Sequence, residues 1–543
     1  MGARCLLLSL AGTPKILSDF VPDNGLASLA ACLLKAGHEV IIRDYNNPDL
    51  FDRIYPAACK RFLNSFAEKV FLYQRRPAFN DLVLLRAVEQ VLALRKRMFL
   101  QEVKEELLQQ VETAGINLVG IKLWAGEGFH WSVEIAGFLK KKVPGLWVFG
   151  GGPQVDIFGH HLFSVCPFFD GLCYGEGEET IVQLANVALG RTNLSEVFNI
   201  YYRKDGQVVK NPAREIQDLN QLPIPVYEEA VYQEIHKKIK MLVIDESRGC
   251  PNRCFFCIHP VKSGRRREKS PDRVLKEMEQ ARQAYGVSLF RFAGSSTPPV
   301  LMTEVARRLV ERGLRVRYSS FGSLREFQGQ EDFSLWKDSG CQSIFFGVES
   351  ASETILRLAM NRRIKKETMA HILKKCQSAG IFTVVSIIHP APMETRESRR
   401  ETMEFLKDVR PDSVLVQFPG IYPGTPWFEQ AERFGFSLDR EKYPRQVMGY
   451  QIKSLFPPRY WRPLPYLING MPFRVFARET ELFQEELNRS GILTGVSDEA
   501  YLLFQAASPG SLEAFIRNNR CWFYAGDARR LTEEIDTINR GSG

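Results

Sequence analysis

The chain has 543 residues, 45% hydrophobic and 25% charged, with a net charge of +9; this is the balance of an ordinary globular protein, long enough for roughly three to four domains. That charge is mild for the length, and Arg265, Arg266, Arg267 and the scattered Lys and Arg read as solvated surface, so no nucleic-acid partner is expected. Eleven cysteines without an even framework of spacings point to a reducing compartment rather than to disulfides, and no run reaches the length of a membrane span, so a cytoplasmic protein is expected.

The first ten residues imitate a short signal peptide, but the apolar run is short and no small-x-small cleavage site follows. Gly2 does not open a myristoylation motif, because position 6 is Leu6. The segment reads as a buried strand, Leu6–Leu10. A helix over Leu26–Lys35 closed by Gly37 comes next, then strands at Glu39–Arg43, Leu118–Lys122 and Trp147–Phe149. Strands alternating with helices predict a doubly wound parallel sheet over residues 1–190, with its ligand site beyond the carboxyl ends of the strands. Glycine-rich turns at 150–153 and 175–178 would let backbone approach a bulky ligand. Residues 48–115 interrupt this domain. Leu84, Val88, Val91 and Leu92 recur there at helical spacing, which predicts an inserted helical hairpin packed on the sheet or capping a cofactor. The Pro-containing stretch 191–235 reads as a linker.

Cys250, Cys254 and Cys257 then stand three and two residues apart, in Ser-Arg-Gly-Cys-Pro-Asn-Arg-Cys-Phe-Phe-Cys. One short loop can aim three thiolates at one corner of a four-iron cube, and a fully protein-ligated cube takes four cysteines. A three-cysteine loop leaves one iron for another ligand. A structural zinc site would want a fourth Cys or His at short spacing, and His259 follows only two residues later, beside Pro260. Burial of three thiols as core is a poor alternative, because polar and aromatic residues separate them. The segment closely resembles the cluster loop of the radical SAM superfamily, down to Phe256 before the last cysteine. The resemblance implies a 4Fe–4S cluster whose open iron chelates the amino and carboxylate groups of S-adenosyl-L-methionine (SAM). It also implies reductive cleavage of SAM to a 5′-deoxyadenosyl radical, with Phe256 and Ile258 beside the cofactor. An electron donor such as flavodoxin or ferredoxin is expected.

After the loop, a helix over Asp272–Tyr285 and strands at Ser288–Phe292, Arg315–Ser319, Ser343–Gly347, Thr383–Ile388 and Ser413–Phe418 suggest a partial (β/α)6 barrel within residues 236–430. Chemistry in such a barrel sits at the carboxyl ends of the strands. Matches to the radical SAM core fall there. Gly347-Val-Glu-Ser350 implies SAM contacts from Glu349 and Ser350. Arg325 is placed to meet a carboxylate. His389, in the turn 388–395, stands where relatives approach adenine, and Tyr422-Pro-Gly-Thr-Pro426 matches a closing turn of many class B barrels. Two departures stand out. Relatives often carry acids after the second strand, where this chain has Ser295 and Ser296, which offer hydrogen bonds without charge. Ala351 replaces a common glycine.

In the first domain, Pro22, Gly25, Leu26, Gly120, Gly151, Gly152, Gly175, Glu176 and Gly177 follow the order typical of the cobalamin-binding domain in class B radical SAM enzymes. A generic dinucleotide fold is opposed by the missing Gly-x-Gly-x-x-Gly after the first strand. No histidine precedes His38, so the Asp-x-His-x-x-Gly signature of many cobalamin proteins is absent and cobalt would lack a protein histidine. Residues 431–543 match no family. Helical patterns at Arg474–Ser490, Asp498–Ala507 and Ala528–Ile538 suggest a cap over the barrel mouth, with the aromatics Tyr460, Trp461, Phe473 and Phe476 as core.

The expected fold is therefore α/β: an N-terminal doubly wound Rossmann-like cobalamin-binding domain, a partial (β/α)6 radical SAM barrel and a helical C-terminal domain. The resemblance implies a cobalamin-dependent methyltransferase. One SAM methylates cobalamin, and a second gives the radical that opens an unactivated substrate carbon to methylcobalamin. Cyclisation, rearrangement or oxidation on the same cofactors is the alternative within enzymes. A cobalamin- or redox-sensing iron–sulfur protein is the alternative outside them. The substrate, whether small molecule, lipid or peptide, is not legible.

Overall fold

The computed structural model describes residues 2–542 apart from 74, 76, 451, 453–457, 508 and 509. The first sheet takes strands β1 (Arg4–Ser9), β2 (Glu39–Asp44), β3 (Leu118–Lys122), β4 (Trp147–Gly151), β5 (Gly171–Cys173), β6 (Ile200–Lys204), β7 (Gln207–Lys210) and β8 (Tyr232–Gln233), in the order β7-β6-β5-β4-β3-β1-β2-β8. β1 is buried from Cys5 to Ser9, as a central parallel strand covered on both faces must be. It pairs in parallel with β2 on one side and β3 on the other, so the winding reverses there and opens a crevice at the carboxyl ends. Asp23 caps the helix Asn24–Lys35 by accepting from the Leu26 amide. That helix and Glu178–Ala188 bury Ala27, Leu33, Ile181 and Leu184 against Cys5 and Leu7. On the other face Phe129 and Ile135 of the helix Glu127–Lys142, with Phe99 and Leu107 of the helix Phe79–Thr113, cover Leu6 and Leu8.

Three expectations are corrected here. The stretch 191–235 is not a linker. β6 and β7 form an antiparallel hairpin on β5, and β8 lies parallel on β2. Asp205 (φ 52°) and Gly206 (φ 79°) make the hairpin turn, and an Asp-Gly pair between short strands is the signal that announces it. The inserted helices, Asp49–Ile54, Ala57–Ala67 and Phe79–Thr113, pack on the sheet but do not cap the crevice. They lie on the opposite face, where Leu63 and Val88 join Tyr524 of the C-terminal helix Leu512–Ala525. Val88 is buried, whereas Leu84 and Val91 of the same predicted stripe are exposed. Two of the three helices expected to cap the barrel mouth, those at 498–507 and 528–541, do not cover it either, as the barrel's own geometry makes plain.

The barrel begins at β9 (Met241–Ile244). A two-residue ladder, β10 (Ser247–Arg248) with β11 (Arg267–Glu268), brackets the cysteine loop. β12 (Leu289–Phe292), β13 (Arg317–Gly322), β14 (Cys341–Glu349), β15 (Phe382–Ile388) and β16 (Ser413–Gln417) complete a six-stranded parallel arc from β9 to β16. A short antiparallel pair, β17 (Phe436–Ser437) with β18 (Leu467–Ile468), follows, and β19 (Leu493–Thr494) extends the arc beside β16. Leu502 and Leu503 of the helix Asp498–Ala507 pack on Met241 and Leu289 at the starts of β9 and β12. Ser343 Oγ donates to the Asp498 carbonyl at 3.0 Å, and Arg317 Nη1 to that of Gln505 at 2.7 Å. The helices 498–507 and 528–541 therefore plug the amino-terminal end of the barrel. Helical periodicity reveals an apolar face but not which end of a barrel it covers. Only the helix Phe473–Arg489 reaches the other end, where Thr480 Oγ1 donates to the His389 carbonyl at 3.0 Å. Phe473 and Phe476 are core, as expected, while Tyr460 is 62% exposed.

Candidate functional site

The carboxyl ends of both sheets face one cleft of about 380 Å³. The first domain lines it with Gly25, Leu26, Gly120, Gly151, Gly152, Gly175, Glu176 and Gly177, so eight of the residues read from the motif order meet there. Pro22 does not; it is buried at the entry to the first helix. Gly152 (φ 89°) and Gly175 (φ 66°) hold conformations that side chains resist. A Cβ on Gly152 would also stand 3.0 Å from Lys122 Cγ, and one on Gly175 would point at the Lys262 carbonyl across the cleft, 3.7 Å away. These turns form a bare cradle, which suits a large flat cofactor such as a corrin. Lys122, held by Asp23 at 2.7 Å, adds a cation to its floor.

The barrel lines the other wall with residues around the cysteine loop, including Asp245, Arg248, His259, Lys262 and Ser295. Arg248 reaches Glu178 at 2.6 Å, Asp245 at 2.7 Å and Glu176 at 3.5 Å. Arg267 pairs with Glu176 at 2.9 Å and donates to the Ile216 carbonyl at 2.6 Å. Burial pushes the Asp245 carboxyl up, but Arg248, Lys269 and Arg267 together hold it below its usual range. Glu176 thus anchors one domain to the other as well as lining the cleft. Losing one partner of such a buried pair costs about 3–5 kcal/mol, more than the intact pair contributes. Arg248 carried no role in the sequence reading, and Arg267, read there with Arg266 as solvated surface, is instead largely buried in an ion pair, as is Arg266 with Glu326; their signal was position, immediately around the cysteine motif.

The cysteine loop is pinned from below. The Phe255 amide donates to the Met360 carbonyl at 3.1 Å, the Trp427 amide to that of Phe255 at 3.2 Å, and Asn361 Nδ2 to that of Arg253 at 2.7 Å. Phe256 packs on Trp427 with ring centres 5.4 Å apart. The three cysteines are free and partly exposed, unlike the buried Cys341 and Cys376 of the barrel core. Burial, with mutual repulsion of the neighbouring thiolates, pushes Cys257 up to about 12; burial also raises Cys254, against the pull of Arg362 and Arg325. Bound iron would displace those protons. Among the described residues, no three His, Cys, Asp or Glu side chains gather as ligands of a single ion; a cluster asks for one thiolate per iron. Ile258 opens the short helix His259–Lys262, and Ser295 Oγ lies 3.0 Å from His259 Nδ1. Burial lowers His259 to about 4, so its imidazole is neutral at pH 7.

At the end of β14 the register against β15 shifts between Gly347 and Glu349, and Glu349 has φ 67°. A left-handed glutamate at a bulge is strained backbone of the kind functional sites keep. Arg362, 5% exposed, stands 3.6 Å from Glu349 Oε1 and donates to the Gly347 carbonyl at 2.7 Å. Burial raises Glu349, opposed by Arg362 and Ser386. Ser350 is not brought to this mouth: its hydroxyl meets Thr402 Oγ1 at 3.2 Å, in the helix Arg396–Val409. His389 is turned away too, stacked on Phe483 at 4.5 Å with Nδ1 3.1 Å from Glu394. Arg325 is exposed and donates to the Asn361 carbonyl at 3.4 Å. No acid follows β12; the buried carboxyl packed against that turn is Glu246, just past the end of β9. Glu246 accepts from the Gly294 amide at 3.0 Å and Thr297 Oγ1 at 2.8 Å, and burial pushes it up to about 7.

Residues 246–406 match the model of the Radical SAM superfamily. An uncharacterized methyltransferase of Pyrococcus horikoshii is 28% identical over 53% of this chain and 63% of its own length. The anaerobic magnesium-protoporphyrin IX monomethyl ester cyclase of Synechocystis is 24% identical over 58% of this chain and 64% of that protein. The chain thus spans just under two thirds of these curated relatives. Among solved structures, the radical S-adenosylmethionine methyltransferase TsrM of Kitasatospora setae, with cobalamin and a 4Fe–4S cluster bound, aligns with TM-score 0.66 and 16% identity over 98% of this chain and 100% of that one. The cobalamin-dependent S-adenosylmethionine radical enzyme OxsB aligns with TM-score 0.57 and 16% identity over 93% of this chain and 65% of that one. At these identities the likeness to the structures is one of fold.

Proposed function

We propose that this chain, whose residues 246–406 match the Radical SAM superfamily and whose fold is that of the cobalamin-binding radical SAM structures, is a cobalamin-dependent radical SAM methyltransferase acting on an unactivated carbon. The observation that carries the reading is the single cleft lined by the glycine turns on one side and by residues that flank the cysteine loop, Arg248 and His259 among them, on the other. When bound, the cluster and SAM would supply a radical that takes a substrate hydrogen, and cobalamin would carry the methyl group.

In this reading Cys250, Cys254 and Cys257 hold the cluster, and the ladder β10–β11 orients their loop. Glu349, aimed by its bulge and steadied by Arg362, accepts hydrogen bonds from the ammonium or ribose of SAM. Gly151, Gly152 and Gly175 give the corrin its seat. The Arg248 and Arg267 pairs keep the two walls at a fixed separation and close the side of the cleft to water. A non-methylating reaction is the second reading, favoured by the cyclase among the relatives.

SAM carrying a deuterated methyl group separates the two. Turnover should release S-adenosylhomocysteine and 5′-deoxyadenosine in comparable amounts and place the label on product. Alanine at any loop cysteine should abolish both. If 5′-deoxyadenosine forms while the label never leaves SAM, the non-methylating reading replaces this one.

A further inference from the structure

A second groove, of about 520 Å³, opens where the loops after β13 and β14 meet. Arg325, Arg357, Arg362, Arg363 and Lys365 line it against one carboxylate, Glu353. Glu353 is partly spent, accepting from the Lys366 amide at 3.3 Å. Of the five cations only Arg362 has a carboxylate partner among the described residues, and even its buried Nε lacks a hydrogen-bond acceptor. Arg357, Arg363 and Lys365 are exposed. Like charges gathered without counter-ions repel one another, a cost that an acidic surface would relieve.

The position of the groove says which acidic surface. The turn 360–363, which presents two of these cations, Arg362 and Arg363, also grips the cysteine loop, through the Met360 carbonyl to Phe255 and Asn361 to Arg253. Arg253, between the first two cysteines, is exposed on the same side. The cleft shared with the first domain is lined by a separate set of residues, so a protein could dock here with that cleft left free.

We propose that this groove docks the acidic face of a one-electron donor protein of the flavodoxin or ferredoxin kind. This rests on the radical SAM reading above: one electron leaves the donor, which is oxidised, and enters the cluster, which is reduced, with no bond made in the docking step. Complementary charge would chiefly speed encounter and make it salt-sensitive.

The test uses the full-length reconstituted protein, an acidic flavodoxin, and the triple variant Arg357→Glu, Arg363→Glu, Lys365→Glu. Binding of oxidised flavodoxin, followed by calorimetry, should weaken with added salt in the parent and be at least about tenfold weaker in the variant. Formation of 5′-deoxyadenosine driven by reduced flavodoxin should fall by a similar factor, while that driven by dithionite stays unchanged. The milder pair Arg363→Gln, Lys365→Gln should lie between, should charge reversal disturb folding. Unchanged flavodoxin affinity overturns the proposal. So does equal loss under dithionite with binding intact, or lost affinity for a transfer RNA with flavodoxin binding preserved. A parent that yields no 5′-deoxyadenosine even with dithionite refutes the radical reading instead, and the binding measurement still judges the groove.

Discussion

Two buried glutamates, Glu349 and Glu246, stand at the carboxyl ends of β14 and β9. Glu349 is held in a conformation its side chain disfavours, beside Arg362, in a pocket from which solvent is excluded. Replacing it by Gln removes a charge-assisted acceptor, so SAM binding to the reconstituted protein should weaken by roughly 1.5–3 kcal/mol. Cobalamin binding on the other wall should be spared; equilibrium titration of each cofactor checks both halves. Glu246 makes a pH prediction. Burial raises its native pKa to about 7, so between about pH 4.5 and 7 the folded chain keeps a proton that the unfolded chain has released. Stability must then fall as pH rises through that window and level off above it, by up to about 3 kcal/mol. Urea unfolding of the apo chain at pH 5 and pH 8 should show this loss, and Glu246→Gln should remove most of it. Equal slopes in parent and variant would mean that Glu246 is ionised in the fold.

At the scale of elements, the cradle depends on turns rather than on side chains. Gly152 combines a positive φ with a Cβ position 3.0 Å from Lys122 Cγ, so Val there is excluded both by backbone and by space. Gly152→Val should cost more than about tenfold in hydroxocobalamin affinity while iron content is retained, because the cysteine loop belongs to the other sheet. Absorbance titration measures the first and iron analysis the second. Full affinity in that variant would take the β4 turn out of the site. The β6–β7 hairpin completes one sheet edge, and the long inserted helix covers one sheet face.

For the whole molecule the question is what cobalt sees. His160 and His161 lie in a separate surface hollow, and His259 is the imidazole that lines the shared cleft, held by Ser295 on the barrel wall. Bound cobalamin should therefore give a base-off spectrum, and cob(II)alamin should show no nitrogen hyperfine splitting from a protein imidazole in EPR. Replacing His130, His160 or His161 should change nothing. Splitting that vanishes in His259→Ala would contradict this and would make His259 the ligand.

Much of this was legible from residue order. Cysteine spacing marks a candidate cluster loop because three thiolates so close in sequence can be aimed at one centre by a single short loop. Strand–helix alternation marks both sheets, because burial on two faces writes itself as apolar runs. The glycine turns are legible because few other residues tolerate their backbone. Tertiary structure decided the rest. It set Ser350 and His389 away from the mouth, packed Glu246 against the turn after β12, and placed the helices 498–507 and 528–541 beneath the barrel rather than over it. It also brought Arg248 and Arg267 to carboxylates 70 and 91 residues away, and Arg362 back to the end of β14, the strand before it. Local sequence encodes which face of an element is apolar and which turn it can make. Which elements meet, and hence which charges pair, is settled only when whole sheets pack.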